Sequence, residues 1–143
     1  MKKCLIIIVA ISAIYIRLTE FPIPSFLGGS KSAANGGSLT TFGFTDSGRQ
    51  IQGAGTVESL LPDDNTGRRH QKFIIRTGSG QTLLVAHNIE IASRLNGLQV
   101  GDLVSFNGQY EWNMKGGLVH WTHHDPSGRH AAGWLRYGGQ TSY

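Results

Sequence analysis

Cysteine is nearly missing from this chain: Cys4 is the only one. An intrachain disulfide framework and a cysteine-ligated zinc finger are therefore excluded. Cys4 sits inside an N-terminal apolar run, which is a poor setting for a nucleophile. Charge is scarce too, at 15% of 143 residues against 39% hydrophobic, which excludes a coiled coil and a wholly disordered chain. The 20 glycines follow no triplet period, so the chain is not collagen-like. What is left is one domain of about 100 residues with appendages.

The formal charge of +4 is unevenly placed. Lys2, Lys3, Arg17 and Lys31 against Glu20 put +3 before residue 35, and the remainder sets nine Lys/Arg against eight Asp/Glu. Global charge thus gives the folded part no general affinity for polyanions, although a local basic patch can still bind one. All six histidines, His70, His87, His120, His123, His124 and His130, fall in this near-neutral part. That enrichment is the most informative feature of the composition.

Lys2 and Lys3 precede Cys4 to Ile16, an apolar run in which only Ser12 and Tyr15 carry a polar group. This is the charged-then-apolar order of an export signal. A bilayer span needs about 20 apolar residues, and Arg17 followed by Phe21-Pro22-Ile23-Pro24 ends the run early. Residues 1–27 therefore read as an apolar helix that is either a signal peptide or a short membrane anchor. The two lysines favour an inside N-terminus, which makes the domain exported, periplasmic or held at the inner membrane facing the periplasm. Residues 28–52, rich in Gly and Ser, read as a flexible tether, with a stray strand at Thr40 to Phe44 as an option.

Residues 53–143 carry short strand signals with turn punctuation between them. Thr56 to Leu61, Gln71 to Thr77 and Thr82 to Ala86 are the first three strands, separated by the turn signals Pro62 to Gly67 and Gly78-Ser79-Gly80. Asn88 then predicts the cap of a short helix through Leu95, with Gly97 past its end. After a Val100-Gly101-Asp102 turn, Leu103 to Trp112 alternates, with Val104, Phe106, Tyr110 and Trp112 sharing one face. Asn113 to Gly117 makes a hairpin turn into a fifth strand, Leu118 to His123. Three strands, a helix and two strands is the element order of an all-β, five-stranded Greek-key barrel of the OB type.

Four histidines lie in the eleven residues His120-Trp121-Thr122-His123-His124-Asp125-Pro126-Ser127-Gly128-Arg129-His130. On an extended strand His120, Thr122 and His124 would face one way, and Trp121 and His123 the other. The Asp125 to Gly128 turn would bring Arg129 and His130 back to the strand end. Clustered imidazoles suit general acid–base work or metal ligation, a guanidinium holds phosphate bidentately, and Asp125 can orient an imidazole or ligate a metal. His70, in Arg68-Arg69-His70-Gln71-Lys72, and His87, in Ala86-His87-Asn88, come from strand ends that the barrel would bring to the same rim.

At these residues the chain resembles a family of small bacterial proteins known as a domain of unknown function and marked by a His-Trp-Thr-His motif. Here the motif is His120-Trp121-Thr122-His123, continuing through His124-Asp125-Pro126 and Gly128-Arg129-His130. Leu61-Pro62-Asp63-Asp64, Arg69-His70-Gln71-Lys72-Phe73 and Ala86-His87-Asn88 also look like the family's pattern. The resemblance spans roughly residues 53–143. It implies a bacterial, exported protein and transfers no activity.

Two functions are then open. The first is an extracytoplasmic hydrolase, a phosphodiesterase or nuclease acting on DNA or RNA, with His123 or His120 as base, His130 or His70 as acid, and Arg129 with Lys72 clamping phosphate. His87 and Asp125 complete its catalytic set, Arg69, Asn88, Trp121 and His124 would hold substrate, and a divalent metal is left open as cofactor. The second is a non-catalytic OB module that binds oligonucleotide, oligosaccharide or a protein partner, with Tyr110, Trp112, Trp121 and Trp134 as possible stacking platforms. No obligate protein partner is implied, and membrane contact would be through residues 1–27 if they are retained.

Overall fold

A computed structural model of the chain describes residues 39–143. The apolar helix expected for residues 1–27 and the first part of the expected tether lie outside the described residues. The rest is mostly β-sheet: β1 (Gln50–Asp64), β2 (His70–Thr77), β3 (Thr82–Asn88), β4 (Leu103–Glu111), β5 (Leu118–His120), β6 (Trp134–Tyr137) and β7 (Gln140–Ser142).

Five of these strands close a ring. The order runs β1-β2-β3-β5-β4, and β4 pairs back onto β1; the β3–β5 pair is parallel and its neighbours in the ring are antiparallel. Closure is possible because β1 is long enough to serve two partners. Gly55 faces both Thr77 of β2 and Val104 of β4. A Cβ at Gly55 would stand 2.9 Å from the Arg76 carbonyl oxygen, so the close approach at the seam requires glycine.

Period-two alternation divides the strands into an inner and an outer wall. Phe73, Ile75, Leu83, Val85, Val104, Phe106, Tyr110, Val119 and Leu135 point inward and are fully buried. Each such side chain contributes about 1.5–3 kcal/mol of transfer free energy. Phe42 plugs one end, its ring 5.7 Å from that of Tyr110, and the Gln81 side chain pins it by bonding both its N–H and its carbonyl. At the other end, Gln71 bonds both the N–H and the carbonyl of Leu95, which holds the 89–102 loop across the opening with Leu95 and Leu98 buried.

Several expectations are corrected. The helix predicted for Ile89 to Leu95 does not form: the segment is a chain of turns. Asn88 Oδ1 accepts the Glu90 N–H, which makes a local turn, and one turn of helix is too short to outweigh the Gln71 clamp on Leu95. Two strands join the expected five-stranded ring, because Gly138 and Gly139, both at positive φ (56° and 79°), fold β6 and β7 into a tight hairpin; β6 extends the β4 edge beyond β5. The Thr40 to Phe44 strand does not form: residues 40–43 are irregular and run into a 3-10 turn, Phe44–Asp46. Within the 28–52 tether, Phe42 and Ile51 are core residues and β1 already begins at Gln50. Trp112 lies past the end of β4, 43% exposed, against Phe44.

Candidate functional site

The outer wall beside the Leu95 end carries the histidines. Asp64 of β1 pairs with His70 of β2, and His70 with Asn88 of β3; β5 delivers His120 beside them. His70, Asn88 and His120 line a cleft of about 200 Å³ together with Arg68, Ala86, Trp121 and His123. A second cleft, of about 360 Å³, shares Arg68 and Trp121 with the first and adds Glu90, Ile91 and the Asp125–Ser127 turn with Arg129.

Trp121 is the pivot. Its φ of 51° makes it the non-glycine residue at positive φ among the described residues, a conformation that costs of order 1–3 kcal/mol. That single left-handed residue ends β5 at His120 and breaks the alternation expected through His123. Trp121 turns outward, and Thr122 and His123 are both buried. The turn fits because glycines leave room for it: a Cβ at Gly108 would crowd Thr122 Cγ2 at 2.8 Å, and one at Gly133 would collide with the Trp121 carbonyl and crowd Thr122 Cα at 2.9 Å. His130 then stacks on Trp121 with ring centroids 3.8 Å apart and planes within 15°, and the His123 ring centroid is 5.5 Å from that of Trp121.

The two cleft imidazoles His70 and His123 are wired alike. His70 Nδ1 is 2.7 Å from the Arg68 carbonyl, and His123 Nδ1 is 2.8 Å from the His124 carbonyl. A carbonyl only accepts, so each Nδ1 carries the proton and each Nε2 presents either a lone pair or, on protonation, a second N–H. Neither Nε2 has a hydrogen-bond partner among the described residues. His120 Nε2 is buried and lies 3.5 Å from Glu111. Burial lowers its pKa, against the pull of that carboxylate.

His87 is a correction. It faces the inner wall, fully buried. Its Nε2–H donates to the Ser93 carbonyl (3.1 Å) and approaches Ser142 Oγ (3.0 Å), while Thr122 Oγ1 donates to Nδ1 (2.8 Å). Burial lowers its pKa to about 4, so it is neutral near pH 7 and ties β3 to β7 and to the strand-end turn.

Asp125 serves its own turn rather than an imidazole. Its carboxylate accepts the backbone N–H of Ser127, Arg129 and His130 and the Ser127 hydroxyl. Those bonds, the Ser127 N–H first, hold it far below the usual carboxylate range. It fixes the loop that presents Arg129 and His130. Arg129 bonds only Ser127 Oγ through Nε (3.0 Å) and has no carboxylate partner among the described residues. Arg69 is drawn to Glu90, with its N–H 3.2 Å and its Nε 3.9 Å from that carboxylate. Lys72 shares the outer wall with His70 but lines a separate cleft of about 130 Å³, and His124 is exposed. Arg68, absent from the expected set, lines both main clefts. Its signal was available: Arg68, His70 and Lys72 at every second residue share one face of an extended strand.

Taken together, this is a small closed β-ring protein with an imidazole- and guanidinium-lined cleft on its outer wall. The chain belongs to the family described as Protein of unknown function (DUF3465), which matches residues 24–143. Comparison with curated proteins and with solved structures gives no match.

Proposed function

We propose that the protein is an extracytoplasmic phosphodiesterase that acts on nucleic acid with the cleft imidazoles as acid and base. The ring order, with its parallel β3–β5 pair closed by β1 and β4, supports an OB-like barrel, whose β2–β3 wall is a customary place for single strands. The observation that carries the reading is the matched wiring of His70 and His123: both Nδ1 protons are spent on backbone carbonyls, and both Nε2 atoms are left unbonded at one cleft beside Arg68. General acid–base pairs need that arrangement, fixed rings with one working nitrogen each.

His123, enclosed behind Trp121, is the base. His70, the less buried of the two and fixed by its Nδ1–H on the Arg68 carbonyl, is the acid. Arg68 and Arg129, which have no carboxylate partner among the described residues, clamp the phosphate. His120 sits beside the pair as a positioning group held towards Glu111. Among the described residues no three His, Cys, Asp or Glu side chains gather to hold a metal ion.

One observation favours the alternative, a binding module. The stacked Trp121–His130 pair is a platform on which a base can sit without any chemistry following. Purified full-length protein incubated with single- and double-stranded DNA and RNA, with and without chelator, separates the two. Cleavage of any strand supports the phosphodiesterase; a retarded but intact strand supports the module.

A further inference from the structure

We infer that the strand cut at this cleft is RNA, with the ribose 2′-hydroxyl as nucleophile and a 2′,3′-cyclic phosphate as product. The inference rests on the phosphodiesterase reading and adds the substrate class to it.

The two clefts supply proton carriers and cations, while the hydroxyls and carboxylates that border them are engaged in other contacts. The Asp125 carboxylate is filled by three backbone N–H groups and a hydroxyl. The Ser127 hydroxyl gives its proton to Asp125 and accepts Arg129 Nε. The Thr122 hydroxyl points inward to His87, and the Glu90 carboxylate accepts the Arg69 N–H and faces its guanidinium. With the two free imidazole nitrogens assigned to proton transfer, the nucleophile comes from the substrate or from water. A water would have to be both captured and activated, whereas a 2′-hydroxyl is carried next to its phosphorus by the ribose itself, an advantage of effective concentration that no added group needs to supply.

Two imidazoles are what that internal attack requires. The O2′–P bond forms as the O2′ proton passes to His123 Nε2. The P–O5′ bond breaks as a proton from His70 Nε2 passes to O5′. Both electron pairs stay on oxygen, one proton enters the protein and one leaves, and the charges on the two imidazoles exchange; hydrolysis of the cyclic ester runs the transfers in reverse. Arg68 stands at the junction of the two clefts, where the charge on the non-bridging oxygens grows during attack. The Trp121–His130 stack beside it takes an unpaired base, which restricts the substrate to a single strand.

The test uses the full chain and three single-stranded oligonucleotides of one sequence: RNA, DNA, and DNA with one internal ribonucleotide. The expected result is cutting of the RNA, a single cut in the chimera directly after its ribonucleotide, a cyclic phosphate on the 5′ fragment and no cut in the DNA. His123→Ala, purified identically, should be at least a hundredfold slower on RNA, which rules out a contaminating nuclease. His70→Ala should be similarly slow on RNA yet keep most activity on a uridine 3′-phosphate aryl ester, whose para-nitrophenolate leaves without a proton. Cutting of the DNA, or 3′-hydroxyl ends on the RNA, overturns the inference and leaves the phosphodiesterase reading standing. No cutting of any of the three overturns both.

Discussion

The inner and outer walls of the same ring hold histidine in opposite states. On the inner wall, His87 has both ring nitrogens bonded to Ser93, Ser142 and Thr122 and is fully buried. On the outer wall, His70 and His123 each spend one nitrogen on a backbone carbonyl and keep the other at a cleft. A fully satisfied imidazole is a strut, because moving a proton would break its network. A half-satisfied one is held in place and still free to exchange a proton. The residue type is the same, and hydrogen-bond completeness separates structure from chemistry.

The largest expected effect breaks the outer half of that contrast. His123→Ala and His70→Ala should each lower strand cleavage by about two to four powers of ten, measured as initial rates under excess substrate. Thermal midpoints should stay near wild type for His70→Ala, since that ring is only partly buried and its one bond is to the neighbouring turn. A rate loss that merely follows a loss of folded protein would move His70 to the structural side.

The inner half breaks differently. His87→Ala should destabilise the domain by about 3 kcal/mol, because it leaves a cavity and strands the Thr122 and Ser142 hydroxyls. Its pH signature has a definite sign. The native pKa of about 4 lies below the ordinary 6.5, so between those values the unfolded chain binds a proton that the native state refuses. Stability contributed by neutral His87 is complete above pH 6.5 and is lost as pH falls towards 4, by on the order of 3 kcal/mol in all. Chemical denaturation at pH 7 and pH 4.5 should show that slope in the wild type and a flatter one in His87→Gln. Equal slopes would mean that His87 is not the group being titrated.

Most of the ring was legible in the sequence, because Leu103 to Trp112 alternates, the other strands are short apolar segments bounded by turn residues, and the Val100-Gly101-Asp102 and Asn113 to Gly117 turns lie where they were expected. The errors have physical causes. The helix signal at Asn88 to Leu95 was real locally and lost to a long-range clamp, the Gln71 side chain on Leu95, which no local pattern reveals. Gln50, Ile51 and Gln52 looked like tether but open β1, whose seam segment must pass close to two neighbours. At the site, the histidine segment was found and its facing was not. Alternation through His123 presumed a strand, and one left-handed residue, Trp121, shifted the pattern so that the consecutive residues Thr122 and His123 are both buried. For His87 the alternation itself was sufficient: it lies between Ala86 and Asn88 on a strand whose odd positions, Leu83 and Val85, are core.

The smallest expected effect sharpens the comparison on the outer wall alone, between adjacent arginines. Arg69 is committed to Glu90, whereas Arg68 has no carboxylate partner among the described residues and lines both clefts. A guanidinium already neutralised by a carboxylate displaces no counterion when a phosphate arrives; an unpaired one does. Arg68→Ala should therefore weaken binding of a single-stranded oligonucleotide, and the slope of log affinity against log salt should shrink by about 1. Arg69→Ala should leave both quantities near wild type. Fluorescence anisotropy across a salt series, read on a strand too short to span beyond the clefts, gives the two slopes directly. Equal slopes for the two variants would mean that phosphate does not pass over Arg68, and the path of the strand along this wall would have to be drawn through Arg129 instead.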